Sequence, residues 1–169
     1  MKRAISVHSP EGSSVRIHRI TCEYKSFSEP TTLRVGVPEG IHAMVQFEVL
    51  DPGSDDEKFE GVEAVEFTFA LYDVFDHFLT SVQGLAGPGM YKAIRRKHRA
   101  KWVFDVDGAF GMYHALCFPS QVRLIDGTIW RCDRDDCVKW LNDEMKESGE
   151  SVTIEDIFPD GAMHEGSSE

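Results

Sequence analysis

Long hydrophobic runs are missing from this 169-residue chain, and no segment approaches the ~20 apolar residues that a helix needs to span a bilayer. Cysteine is scarce, at four residues, and a chain of this length buries a continuous core without disulfides or a structural metal. The opening Met1-Lys2-Arg3-Ala4-Ile5-Ser6-Val7-His8-Ser9-Pro10 is basic like a secretion signal, yet it puts polar residues and a proline where the apolar stretch belongs. A cytoplasmic location is therefore expected, with Cys22, Cys117, Cys132 and Cys137 mostly as thiols. Positive charge is in deficit: 18 lysines and arginines face 29 acids, for a formal net charge of -11. General affinity for DNA, RNA or an acidic lipid surface is not expected of such a chain.

Negative charge has a gap of its own. No Asp or Glu stands between Asp76 and Asp105, while Lys92, Arg95, Arg96, Lys97, Arg99 and Lys101 crowd into that interval. Read plainly, such a run is a solvated loop or helical turn that offsets neighbouring acids. The sharper reading makes it a contact patch for an acidic partner or a phosphate, flanked by Tyr91 and Trp102 as aromatic anchors, although a tryptophan is more often a core residue.

Alternation is what the chain has in quantity. Ile41, Ala43, Val45, Phe47 and Val49 alternate with His42, Met44, Gln46 and Glu48, and Val65, Phe67, Phe69 and Leu71 share one face of residues 62–72. Between Val15 and Tyr24 the apolar parity changes near Arg19, where a bulge would restore the facing. Ala4 to His8 and Leu33 to Val37 read as shorter strands, and Gly84-Leu85-Ala86-Gly87-Pro88-Gly89 as a breaker before the basic run. Trp102, Phe104 and Val106 alternate, Met112 to Phe118 returns, and Pro119-Ser120 interrupts the chain. Val122 to Trp130 follows, with Asp126-Gly127 as a hairpin turn. From Asp133 the period becomes helical: Cys137, Trp140, Leu141 and Met145 recur at three or four residues, acids crowd the start, and Gly149 follows the end.

This pattern predicts a mainly β fold, an antiparallel two-sheet sandwich with one short C-terminal helix. An α+β sheet with the helix on one face is the alternative. A single domain is expected over residues 1–154, followed by an acidic, disordered tail at 155–169.

Phe67 to Asp76 and Val122-Arg123-Leu124-Ile125-Asp126-Gly127-Thr128-Ile129-Trp130, with Trp102 to Val106 between them, carry a resemblance. Over residues 41–132 the chain resembles uncharacterised bacterial immunoglobulin-like or fibronectin-type-III-like β-sandwich domains. In those, a strand of the form aromatic-x-aromatic-x-x-x-Asp-x-Phe precedes a hairpin of the form Val-x-Phe-x-Asp-Gly-Thr-x-Trp; here Leu124 replaces the aromatic. The resemblance implies a small binding or accessory module and brings no catalytic residue. Many such domains are secreted, whereas no export signal is read here.

His114 and Cys117 stand three apart, which on a regular strand sends them to opposite faces, so no convergent zinc set with Cys132 and Cys137 is expected. The acids from Asp133 to Asp136 argue for unreactive thiols at Cys132 and Cys137. Neither the acidic run from Asp51 to Glu57 nor Asp133-x-Asp135-Asp136 fits an EF-hand. Asp73, Asp76 and His77 offer a base and carboxylates, but no Gly-x-Ser-x-Gly or His-Glu-x-x-His accompanies them, and Pro88 spoils the glycine cluster as a phosphate loop. The reading is of a non-enzymatic protein-protein interaction module with no cofactor, no metal and no catalytic residue. Lys92, Arg95, Arg96, Lys97, Arg99, Lys101 and Tyr91 form its partner-binding region. The alternatives are an acidic inhibitor or immunity-type protein for a basic target, and a small hydrolase or metal-dependent enzyme around His77 and His114.

Overall fold

Two strands with apolar residues at successive positions, not merely at alternate ones, set the architecture. The computed structural model describes residues 5–50, 61–87 and 97–159. Within them lie β1 (Ile5–Val7), β2 (Val15–Lys25), β3 (Gly40–Val49), β4 (Val62–Tyr72), β5 (Phe78–Ala86), β6 (Lys97–Phe104), β7 (His114–Leu124) and β8 (Ile129–Arg131), then helices α1 (Arg134–Glu144) and α2 (Ile154–Ile157). One sheet has the order β1-β7-β4-β5, with β8 also on β7, and the other has the order β2-β3-β6. The mainly β, two-sheet sandwich with a C-terminal helix is thus the fold.

β4 and β7 are buried on both faces. Val65, Phe67, Phe69, Leu71, Cys117 and Val122 point at the smaller sheet and pack there with Ile41, Val45 and Phe47. Ala70, Tyr72, Leu116 and Phe118 point the other way and carry a second core built with Cys137, Leu141, Met145, Val152 and Ile157. The helices therefore form a third layer, so the feature that defined the α+β alternative coexists with the sandwich. At ~25 cal/mol per Å² of apolar surface removed from water, a two-sided strand is the most strongly held part of such a stack.

Local sequence explains most element boundaries. The parity change in β2 is a register shift between Ile17 and Arg19, which puts His18 and Arg19 on the exposed side while Ile20 turns inward. β7 runs through Pro119 where a break was expected, because the register shifts between Glu66 and Phe67 of β4, and Ser120 uses the slack to donate to the Glu66 carboxylate at 2.8 Å. On its other side β7 pairs with β1 only as far as Cys117 and with β8 only from Gln121, so the missing proline N–H falls in a gap between them. The β7–β8 turn has Gly127 at φ 87°, with Thr128 N–H donating to the Asp126 carboxylate. Asp133 caps α1 by accepting from Asp136 N–H at 3.1 Å, and acids occupy the first turn where the helix dipole favours them.

Four expectations are corrected. β1 pairs with β7 in parallel, so the larger sheet is not wholly antiparallel. Leu33 to Val37 is no strand: two isolated bridges pin the loop, and Leu33 and Val35 stand exposed. Gly84-Leu85-Ala86 belongs to β5, where the absent side chain of Gly84 makes room for Trp102. Finally, α2 spans the boundary expected at residue 154: Thr153 and Asp156 form a capping box and Ile157 is fully buried.

Candidate interaction surface

The basic run, where the structure describes it, is neither a loop nor a helical turn. Lys97, Arg99 and Lys101 occupy alternate positions of β6 and point outward, while Ala100, Trp102 and Phe104 pack inward. Tyr91, Lys92, Arg95 and Arg96 lie outside the described residues. Trp102 is a core residue: its ring lies 5.9 Å from Phe67 and 5.8 Å from Phe69, and its indole N–H donates to the Leu85 carbonyl at 3.1 Å.

Pairing across the β2-β3-β6 sheet sets the outward charges in rows. Arg16, Glu48 and Lys97 form one, Arg19, Gln46 and Arg99 the next, then Thr21, Met44 and Lys101, then Glu23, His42 and Val103. With strands ~4.8 Å apart and alternate residues ~7 Å apart, the cations make a grid on one face. Two carboxylates interrupt it: Glu23 holds Lys25 at 3.0 Å, and Glu48 accepts from or pairs with the His18 ring at 3.1 Å. None of Arg16, Arg19, Lys97, Arg99 and Lys101 is in an ion pair among the described residues. Gln46, oriented with its oxygen toward Arg99, accepts from Nε at 2.9 Å and steadies that guanidinium without neutralising it.

Shallow concavities cross the same face. One of about 370 Å³ is lined by Thr21, His42, Met44, Lys101 and Val103, and one of about 410 Å³ by His18, Gln46, Lys97 and Arg99. Arg16 and Arg19 were not among the expected contact residues. The signal was there in the β2 parity change, which determines that Arg19 shares a face with Arg16, but it says nothing of β6 as a neighbour once removed.

The residues weighed for hydrolysis fall into two separate pairs. Asp73 accepts from the Phe75 and His77 amides at 2.8 and 2.9 Å and from the His77 ring at 3.3 Å. Burial pushes its carboxyl up, but these amides and the imidazole outweigh it and hold the group below its ordinary value. His114 pairs instead with Asp76, which turns the chain at φ 62°, across 3.4 Å. The Nε2 of His114 and the hydroxyl of Tyr72 opposite are buried without hydrogen-bond partners among the described residues, and burial raises the Tyr72 phenol. Neither histidine lines either concavity. Cys117 sits in the inter-sheet core and Cys132 and Cys137 under the helix layer, so the four residues weighed for zinc do not converge. Among the described residues no group of three His, Cys, Asp or Glu is placed to hold a metal, and no helix is long and apolar enough to cross a membrane.

No protein-family model and no curated protein matches the chain. The chain is similar to a hypothetical protein of Peptoclostridium difficile 630, known from a 1.85 Å X-ray structure. The TM-score is 0.45 and the identity 10%, over 85% of this chain and 95% of that one. A likeness of that size carries neither fold nor function across.

Proposed function

We propose that this protein is a non-enzymatic interaction module that docks an acidic protein segment on the outer face of the β2-β3-β6 sheet. The observation that carries the reading is the set Arg16, Arg19, Lys97, Arg99 and Lys101, in no ion pair among the described residues and in cross-strand register on a chain of net charge -11. Cations whose charge is not neutralised within the fold raise the rate and specificity of meeting an opposite charge. A protein suits the face better than a nucleic acid does. Among the described residues the outward side chains include Met44 and Val103 but no phenylalanine, tyrosine or tryptophan ring, the larger platforms on which bases stack.

The test is binding of fluorescently labelled poly-L-glutamate at low and physiological salt. The wild-type chain is expected to bind and to weaken with salt, and the variant with Arg16, Arg19, Lys97, Arg99 and Lys101 all changed to Ser is expected not to bind. Absence of wild-type binding, or equal binding by the variant, overturns the reading, as does tighter binding of single-stranded DNA than of the polypeptide.

A second reading has its own observation. The exposed side of α1 carries Asp135, Asp136, Asp143 and Glu144, with Lys139 as a counter-charge, on the layer farthest from the basic face. An inhibitor or immunity-type protein for a basic target would use that side, and would bind poly-L-lysine in a manner that Asp135, Asp136, Asp143 and Glu144 changed to Asn or Gln abolish.

A further inference from the structure

We infer that Cys132 and Cys137 form a redox-modifiable dithiol at the start of α1, which a small hydroperoxide oxidises reversibly to a disulfide. Asp133 is the N-cap of α1, so Cys132 holds the position just outside the helix and Cys137 the fourth position within it. Those two places face each other in the hydrophobic staple that fixes the entry of a chain into a helix. A staple needs only apolar contact, which an aliphatic pair supplies; here both members are free thiols of one buried cluster, near enough for each to shift the titration of the other.

The backbone around the pair is fixed on both sides. Cys132 N–H donates to the Ser120 carbonyl of β7 at 3.0 Å, Cys137 N–H donates to the Asp133 carbonyl at 3.0 Å, and the Asp133 carboxylate holds Asp136 N–H. Both side chains lie in the core between α1 and the larger sheet.

The two thiols differ in access. A cavity of about 30 Å³ lined by Ser120, Gln121, Arg131, Cys132 and Arg134 reaches Cys132, whereas Cys137 is fully buried. A cavity of that size has room for a water-sized reagent such as a peroxide oxygen. The thiols are also differentiated. The hydrogen bond from Cys137 lowers the Cys132 pKa most; burial opposes it, the Arg134 guanidinium assists, and Asp133 opposes weakly. Cys137 is pushed up by the same hydrogen bond and by burial. The acidic run alone suggested two inert thiols; the contact between them reverses that for Cys132.

In the first step the Cys132 thiolate attacks one peroxide oxygen, the O–O bond breaks, and Cys132 becomes a sulfenic acid while hydroxide leaves and takes a proton as water. In the second, the Cys137 sulfur attacks the Cys132 sulfur, the S–O bond breaks, and the hydroxyl departs with the Cys137 proton as a second water. Two thiols are oxidised by two electrons and hydrogen peroxide is reduced to two waters.

The experiment treats the reduced, full-length protein with equimolar hydrogen peroxide and reads intact mass, free thiols and a peptide map. Expected are the loss of two hydrogens, a fall from four free thiols to two, a cross-link joining the Cys132 and Cys137 peptides, and full recovery with dithiothreitol. In Cys137→Ser a dimedone adduct is expected at Cys132; in Cys132→Ser none is expected at Cys137. Four unchanged thiols, a cross-link through Cys22 or Cys117, a cross-link between molecules, or a dimedone adduct in Cys132→Ser alone would each overturn the inference. The wild-type map decides even if a serine variant does not fold.

Discussion

A Cβ placed on Gly84 would stand 2.7 Å from Cδ2 of the Trp102 indole. The two residues meet where the edge strand β5 of one sheet approaches the edge strand β6 of the other, and the Trp102 indole N–H donates to the residue after Gly84. Gly84→Ala should displace a ring packed on Phe67, Phe69 and Phe104 and cost about 1–3 kcal/mol, as overpacking of a filled core does. Urea denaturation followed by tryptophan fluorescence checks this, and a midpoint equal to wild type would show that the seam is loosely packed.

Asp133→Ala removes the side chain that accepts from Asp136 N–H at the head of α1. The expected loss is about 1 kcal/mol, within the ~0.5–2 kcal/mol span of N-cap deletions. Asp133→Asn should recover most of it, since the amide oxygen still accepts, and thermal denaturation of the three proteins side by side measures the difference.

His8 stacks on Trp140 of α1 with ring centroids 4.8 Å apart and planes 14° from parallel, tying β1 to the helix layer. Burial lowers its pKa below the ordinary 6.5, and the attraction of Asp136 and Glu144 only partly opposes this. The unfolded chain therefore binds the proton more readily. The His8 contribution to stability should be complete above about pH 6.5 and decline as the pH falls through the depressed folded value. The stability gap between wild type and His8→Phe, measured by denaturation at intervals of pH, should change in that window; a constant gap would contradict the assignment.

Changing Arg16, Arg19, Lys97, Arg99 and Lys101 to Ser should leave the fold standing. These side chains are exposed and in no ion pair among the described residues, and surface substitutions of this kind usually stay within about 0.5 kcal/mol each. Removing mutual repulsion on the face offsets part of that, so a melting temperature near wild type is expected. A large drop would show that the cations serve the sheet itself.

Where the sequence was legible, one face of an element had to be buried and the other not. β3 shows this plainly, and β2 does so even to the bulge after Ile17, because a parity change has no other remedy in a paired strand. Trp102 and Phe104 marked the second half of β6, but its first half was hidden for the same physical reason turned round. Lys97, Arg99 and Lys101 are a strand's solvent side, yet the inward partners begin with His98 and Ala100, which advertise little hydrophobicity. The third layer was hidden in β4, where Ala70 and Tyr72 look like the wet side of a half-buried strand and are covered by the helices. The parallel placement of β1 depends on three residues and on which edge of β7 remains free, and no local pattern records that. As for the candidate surface, the sequence exposed the charge on one strand. The grid with Arg16 and Arg19 exists only because β3 pairs with β2 on one side and β6 on the other.

The position of β7 also dictates an order of assembly during synthesis. β1 emerges first, but its strand partner follows roughly a hundred residues later, and β4 likewise waits for β7 to cover one of its edges. Until residues 114–124 have left the ribosome, β4 and β5 make a hairpin whose bare edge and apolar surfaces are open to other nascent chains. A ribosome pause upstream of His114 would prolong that interval, and the chain's yield in soluble form should track how quickly translation passes it.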